Sequence, residues 1–157
     1  MIYIFDSSSL VEFMDHHSER SFPSLWADFR KLVSNGRIKS VKEVYNELLT
    51  YGGVNVCKVW AEENKHFFEL PSEEETEFVT KIYVLAHFRN NIEQQKILAG
   101  GYHADPFIIA KAKLIDGCVI TQETMKENAA KIPNICRHFL IKYADFDGFM
   151  EREGLYY

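Results

Sequence analysis

Asp6 follows a short apolar run, Ile2-Tyr3-Ile4-Phe5, and precedes three hydroxyls, Ser7-Ser8-Ser9, after which a helical pattern starts at once. In an open parallel sheet, ligands and chemistry gather just beyond the C-terminal ends of the strands. A carboxylate at the end of a first strand is therefore placed to hold a metal ion or to attack a substrate. Three other acids occupy comparable positions: Glu47 at the edge of a helix's apolar stripe, Asp105 opening an apolar helix, and Glu123 after the apolar run Cys118-Val119-Ile120-Thr121. Carboxylates brought together repel and raise one another's pKa. A shared site makes sense when divalent cations compensate that charge, and hard oxygen donors select Mg2+ or Mn2+.

Each acid also has a plainer explanation. Asp6 could be an N-cap, a job the serines beside it could equally do, and Glu47 could simply be solvated. Asp105 before Pro106 makes a good N-cap followed by a proline at the first helical position. Glu123, between Gln122 and Thr124, could belong to a polar helix start, with Thr121 as its cap or as a holder of metal-bound water.

The elements that must position these residues follow from periodicity. Residues 2–5 read as a buried strand and 8–17 as a helix; Pro23 opens a second helix through Ser34, with Leu25, Trp26, Phe29, Leu32 and Val33 at helical spacing. A brief strand, Ile38 to Ser40, leads into a helix whose start, Ser40-Val41-Lys42-Glu43, matches a capping box, with Glu43 directed away from the core. A helix near 54–65 carries Trp60, and Pro71-Ser72 with Glu73 to Glu75 opens a long helix through about Arg89, its first-turn acids suited to the helix dipole. Gly100-Gly101 breaks the chain. Phe107 to Ile115 is apolar around nearly its whole circumference and reads as a buried helix. Asp116-Gly117 turns into the strand Cys118 to Thr121, and Ile132 to Leu140 (helix), Ile141 to Tyr143 (edge strand) and Phe146 to Glu153 (helix) complete the chain. Short apolar strands alternating with helices indicate one α/β domain spanning residues 1–157, with a parallel sheet covered by helices on both faces.

Composition narrows the classes. The 157 residues suffice for a substantial core, and the formal charge of −5 argues against a generic basic nucleic-acid clamp, because neutralising phosphates takes Lys and Arg. The modest basic cluster Arg30, Lys31, Arg37, Lys39 and Lys42 reads as solvated surface. Cys57, Cys118 and Cys136 show no CxxC spacing, which points to reduced thiols in a cytoplasmic protein. The apolar start ends at Asp6, too short for a signal peptide, and no stretch reaches membrane-spanning length.

Asp6-Ser7-Ser8 after an opening strand, Glu47-Leu48, the helix Ala104-Asp105-Pro106-Phe107-Ile108-Ile109-Ala110-Lys111-Ala112, and Val119-Ile120-Thr121-Gln122-Glu123 together resemble the PIN-domain signature, in the right order over nearly the whole chain. The resemblance implies a three-layer α/β/α sandwich and a metal-dependent endoribonuclease, often the toxin of a type II toxin–antitoxin pair, forming dimers and binding a small antitoxin. Where the family commonly has Asp two residues after the Thr, Glu123 stands here, longer by one methylene. The expected mechanism is hydrolysis of RNA phosphodiesters, with Asp6, Glu47 and Asp105, helped by Glu123 or Thr121, holding one or two Mg2+ or Mn2+ ions. Ser8 would position the water or a phosphate. His103, two residues before Asp105, is a candidate phosphate contact, and no HxxxH or His/Cys set suggests zinc.

Two other readings stay open. An Asp6 nucleophile would make a phosphoryl-transfer enzyme, although haloacid-dehalogenase-type phosphatases carry a second Asp where Ser8 stands. A catalytically inactive PIN-like module would keep the fold and bind RNA or a partner protein. The tail Leu155-Tyr156-Tyr157 would either serve such a contact or pack on the last helix.

Overall fold

Tyr3–Phe5 (β1) is short, wholly buried and central. Side chains alternate along a strand, so Tyr3 and Phe5 share one face, where both rings meet Phe149 edge-on at centroid distances of 5.0 and 5.1 Å. Ile4 takes the other face. The computed structural model describes residues 1–53, 55–98, 101 and 103–157. The predicted break at Gly100-Gly101 thus falls partly outside the described residues, as does Val54 at the start of the predicted 54–65 helix.

From β1 the chain runs through α1 (Ser7–His16), α2 (Pro23–Ser34), β2 (Ile38–Val41), α3 (Lys42–Thr50), α4 (Val56–Glu63) and β3 (Phe68–Glu69). It continues through α5 (Glu73–Val84), α6 (Ala86–Leu98), α7 (Asp105–Leu114), β4 (Cys118–Ile120), α8 (Ile132–Phe139), β5 (Lys142–Ala144) and α9 (Phe146–Glu153). The strands form one sheet in the order β3-β2-β1-β4-β5, parallel throughout. Tyr3 aligns with Ile38 on one side and with Cys118 on the other. β1 is where the strand order reverses direction, so the loops after β1 and β4 diverge there and leave a crevice. Helix α7 lies across β1, β2 and β4 with α5 and α8 beside it, whereas Phe13 of α1, Phe29 of α2 and Phe146 of α9 stack around Phe5. The result is a three-layer α/β/α sandwich.

Several local expectations are corrected. Ser40 is not a helix cap: it remains in β2, fully buried, and its hydroxyl donates to the Phe5 carbonyl at 2.7 Å. Val41 takes the N-cap position of α3 without a side-chain bond, and Glu43 turns inward, with a buried Oε2 that has no hydrogen-bond partner among the described residues. The long helix is interrupted at Leu85, whose extended backbone ends α5 and lets α6 start in a new direction with Phe88 and Ile92 buried. Glu75 does more than face the helix dipole. It is buried and paired at 2.9 Å with Lys111, which sits within the otherwise apolar α7 and also reaches Glu69 at 2.8 Å. β3, two residues long, carries too little pattern to be read from sequence. The basic cluster is largely partnered, with Arg30 on Glu19, Arg37 on Glu153 and Lys39 on Glu69. Of the tail, Leu155 packs on the core and the Tyr157 hydroxyl donates to Asp28. Among the described residues no helix is long and apolar enough to cross a membrane.

Candidate metal centre

Asp6 is both the residue after β1 and the N-cap of α1. Its Oδ1 accepts from the Ser9 amide at 2.8 Å, and the Ser9 hydroxyl lies 2.8 Å from the same oxygen. The Thr121 hydroxyl, brought alongside by the β1–β4 pairing, donates to Oδ2 at 2.6 Å, and the Ser8 hydroxyl lies within 2.9 Å of both oxygens. Asp6 is only 4% exposed. Burial raises its pKa, and the bonds from Thr121, Ser9 and Ser8 partly offset that rise by favouring the charged form. Ser8 also accepts from the Gln122 amide at 2.9 Å, tying the loop after β4 to the start of α1.

Glu47 is half-buried, bordering the apolar stripe Val44, Tyr45 and Leu48 as its position predicts. Its Oε2 accepts from the Ser7 hydroxyl at 2.8 Å and its Oε1 from the Ala104 amide at 2.7 Å. One carboxylate thereby joins α1, α3 and the entrance to α7. Burial raises its pKa, opposed by these two bonds and reinforced by the charges of Asp6 and Glu123.

Asp105 is not the predicted N-cap. Ala104 holds that place without a side-chain bond, so Asp105 and Pro106 form the first turn itself. The side chain is thereby released from capping. Asp105 is 8% exposed, and its Oδ2 has no hydrogen-bond partner among the described residues. Its pKa stands well above the ordinary carboxylate range, through burial first and then the charges of Glu123, Glu47 and Asp6.

Glu123 lies in a loop and not in a helix start; its Oε2 accepts from the Ile132 amide at 2.9 Å at the head of α8. Burial raises its pKa, the Ile132 bond opposes this, and the Asp6 charge adds to it. The structure therefore brings all four predicted acids, with Ser8 and Thr121, to the end of the sheet where β1 and β4 finish. Their mutual electrostatic effects follow from that convergence.

Three participants were not assigned these contacts from sequence. Ser7 and Ser9 look alike in the serine run, and only contacts with α3 and β4 give them separate tasks. His103 joins Glu47 and Asp105 in a trio whose ligand atoms lie within 4.8 Å of one another. Its proximity to Asp105 in sequence was the one available signal. The His103 Nε2 stands 3.5 Å from Asp105 Oδ2, with the imidazole side chain 9% exposed. Burial, and then the charge of Lys96, push its pKa down to about 4. The ring is therefore neutral at neutral pH, and the two groups face each other without forming an ion pair.

Asp105 Oδ2 and His103 Nε2, without hydrogen-bond partners among the described residues, make with the Glu47 carboxylate a donor set that fits a divalent cation, while Asp6 and Glu123 stand outside this trio and act on Asp105 through their charge. Such a cation would offset the like charges and give the two unpartnered atoms a common partner.

The three-layer architecture is that of a PIN-like fold. Over residues 3–157 the chain matches the family model described as Domain of unknown function (DUF4411), and it belongs to that family. Its fold is similar to VapBC2 from Rickettsia felis, solved bound to a DNA fragment from their promoter, at 15% identity and a TM-score of 0.52, over 94% of this chain and 100% of that one. It is similar as well to VapBC-1 from nontypeable Haemophilus influenzae, at 15% identity and a TM-score of 0.50, over 94% of this chain and 99% of that one. No curated protein matches the chain.

Proposed function

We propose that this protein is a metal-dependent endoribonuclease acting as a single PIN-like domain, and the toxin component of a type II toxin–antitoxin pair. The observation that supports the nuclease reading is that the charges of Asp6, Glu47 and Glu123 all bear on the buried Asp105, whose Oδ2 has no hydrogen-bond partner among the described residues. The toxin reading draws on the fold shared with VapBC assemblies, and it carries with it a small antitoxin and a homodimer as expected partners.

Asp6, Glu47, Asp105 and Glu123 would hold Mg2+ or Mn2+. The cation supplies positive charge opposite the reacting phosphate and a more acidic attacking water. The chain's own groups supply orientation. Thr121 and Ser9 fix the Asp6 carboxylate, while Ser7 and the Ala104 amide fix that of Glu47, so neither needs to reorganise on loading. Ser8, at the mouth of the helix α1 turn, can turn its hydroxyl from Asp6 toward a phosphate oxygen. Lys131, whose charge lowers the pKa of both Asp105 and Glu123, would offer its cation to a non-bridging oxygen.

The test is cleavage of mixed RNA and matched single-stranded DNA by the wild type and Asp6→Asn, with Mn2+ and with EDTA. Asn caps a helix as well as Asp does, so this variant keeps α1 while losing a charged ligand. We expect RNA cleavage with Mn2+ only, reduced to background in a folded Asp6→Asn protein; full activity in that variant would end the reading. One observation favours the rival reading of an inactive binding module: both Glu47 oxygens already accept hydrogen bonds. Calorimetry separates the two readings, since a module of that kind takes up no Mn2+ at millimolar concentration.

A further inference from the structure

We infer that His103 is a metal ligand: with Glu47 and Asp105 it forms a mixed nitrogen–oxygen site that favours Mn2+ and related transition metals over Mg2+. This rests on the metal-dependent reading above and adds to it a donor outside the four acids.

Two unpartnered atoms define the centre of this site. His103 Nε2 and Asp105 Oδ2 are each buried, lack a hydrogen-bond partner among the described residues, and stand 3.5 Å apart. A buried polar atom left unpaired is costly, and the side chains of His103 and Asp105 are only 9% and 11% exposed. Two ligands bound to one ion at about 2.1 Å each lie roughly 3.0 Å apart at right angles and about 3.4 Å apart in a tetrahedron. The observed separation suits two ligands of a single cation. Glu47 completes the trio within 4.8 Å, its carboxylate held by Ser7 and the Ala104 amide. The histidine is thus anchored one residue from an amide that Glu47 already grips.

The chemistry of the nitrogen sets the preference. Imidazole suits Zn2+, Fe2+ and Ni2+, and Mn2+, though also at home among oxygen donors, accepts it more readily than Mg2+, which takes oxygen ligands and retains water. His103 also lines an open cavity of about 350 Å³ with Glu43, Tyr83, Glu93, Lys96 and Phe107.

The experiment uses the full chain loaded with Mn2+ alone. Pulsed electron paramagnetic resonance should show coupling to a ligating imidazole 14N, and the coupling should vanish in His103→Gln. Calorimetry should find Mn2+ binding weakened about 10- to 100-fold in that variant, with Mg2+ binding changed by less than about twofold. His103→Ala serves as a second variant, and the wild-type spectrum decides the matter even if both variants fail to fold. Absence of the nitrogen coupling from Mn2+-loaded wild type overturns the inference, as does Mn2+ binding in a folded His103→Gln within about twofold of wild type. RNA cleavage that survives such a result leaves the nuclease reading intact. Nitrogen ligation in a protein that cuts no RNA sustains this inference and removes the other.

Discussion

Asp105 bears the electrostatic cost of the site. Its carboxylate is buried, faces three other acids and has one oxygen without a partner. With its folded-state pKa raised, the native state holds a proton that the unfolded chain releases at about pH 3.9. The associated stability is fully present below that pH and is lost as pH rises through the folded value. In EDTA at neutral pH, Asp105→Asn should therefore raise Tm by roughly 2–4 °C, the shift that about 1 kcal/mol makes in a chain of this size. The gain should fade toward pH 4, and thermal scans across that range would show it; an equal gain at every pH would contradict the assignment of its origin. The same substitution should weaken Mn2+ binding, trading function for stability as strained sites do. The four acids were legible in sequence because each stands at a strand end or a helix edge. The tasks of Ser7, Ser9 and His103 were not, because they depend on atoms up to 111 positions away in the chain, as in the bond from Ser9 to the Ile120 carbonyl.

Among the elements, α7 illustrates what periodicity conveys and what it hides. Its apolar circumference correctly foretold burial, yet Lys111 is buried with it, enclosed by Glu75 of α5 and Glu69 of β3. For Glu69, only partly covered, burial is the largest single influence and raises the pKa, but the bonds and charges of Lys111 and Lys39 together outweigh it and leave the carboxyl below its ordinary value. Lys111→Ala would strand the Glu75 carboxylate in the interior, and removing one partner of a buried pair costs about 3–5 kcal/mol. Guanidinium denaturation would register that loss, and replacing Lys111 and Glu75 together with Met and Leu should recover much of it. A single variant within about 1 kcal/mol of wild type would show the pair to be solvated. Bounds of long patterned elements were legible, α2 and α9 to the residue. β3 was not, for two residues cannot show alternation, nor was the interruption at Leu85, where neither Gly nor Pro marks the turn. Ser40 misled because a cap motif and an inward strand residue look the same until β2 is paired with β1.

At the scale of the whole molecule, the scattered cysteines all end in the interior. Cys57 of α4, Cys118 of β4 and Cys136 of α8 are buried and unoxidised, and burial pushes the Cys57 thiol up to about 12 and raises the other two. Only thiolate reacts quickly with alkylating agents. The native protein should resist iodoacetamide at about pH 8 and take up label at all three positions in denaturant, which mass spectrometry would count; rapid labelling of the native chain would mean these packing sites open readily. The sheet has a similar reserve at its margins. Its outer strands are short, two residues at β3 and three at β5, and β5 presents Lys142 to solvent. Short, charged rims offer little template for a foreign strand. Cross-β growth and strand swapping between copies are thereby discouraged, and any lasting association of this protein is left to its helices and loops.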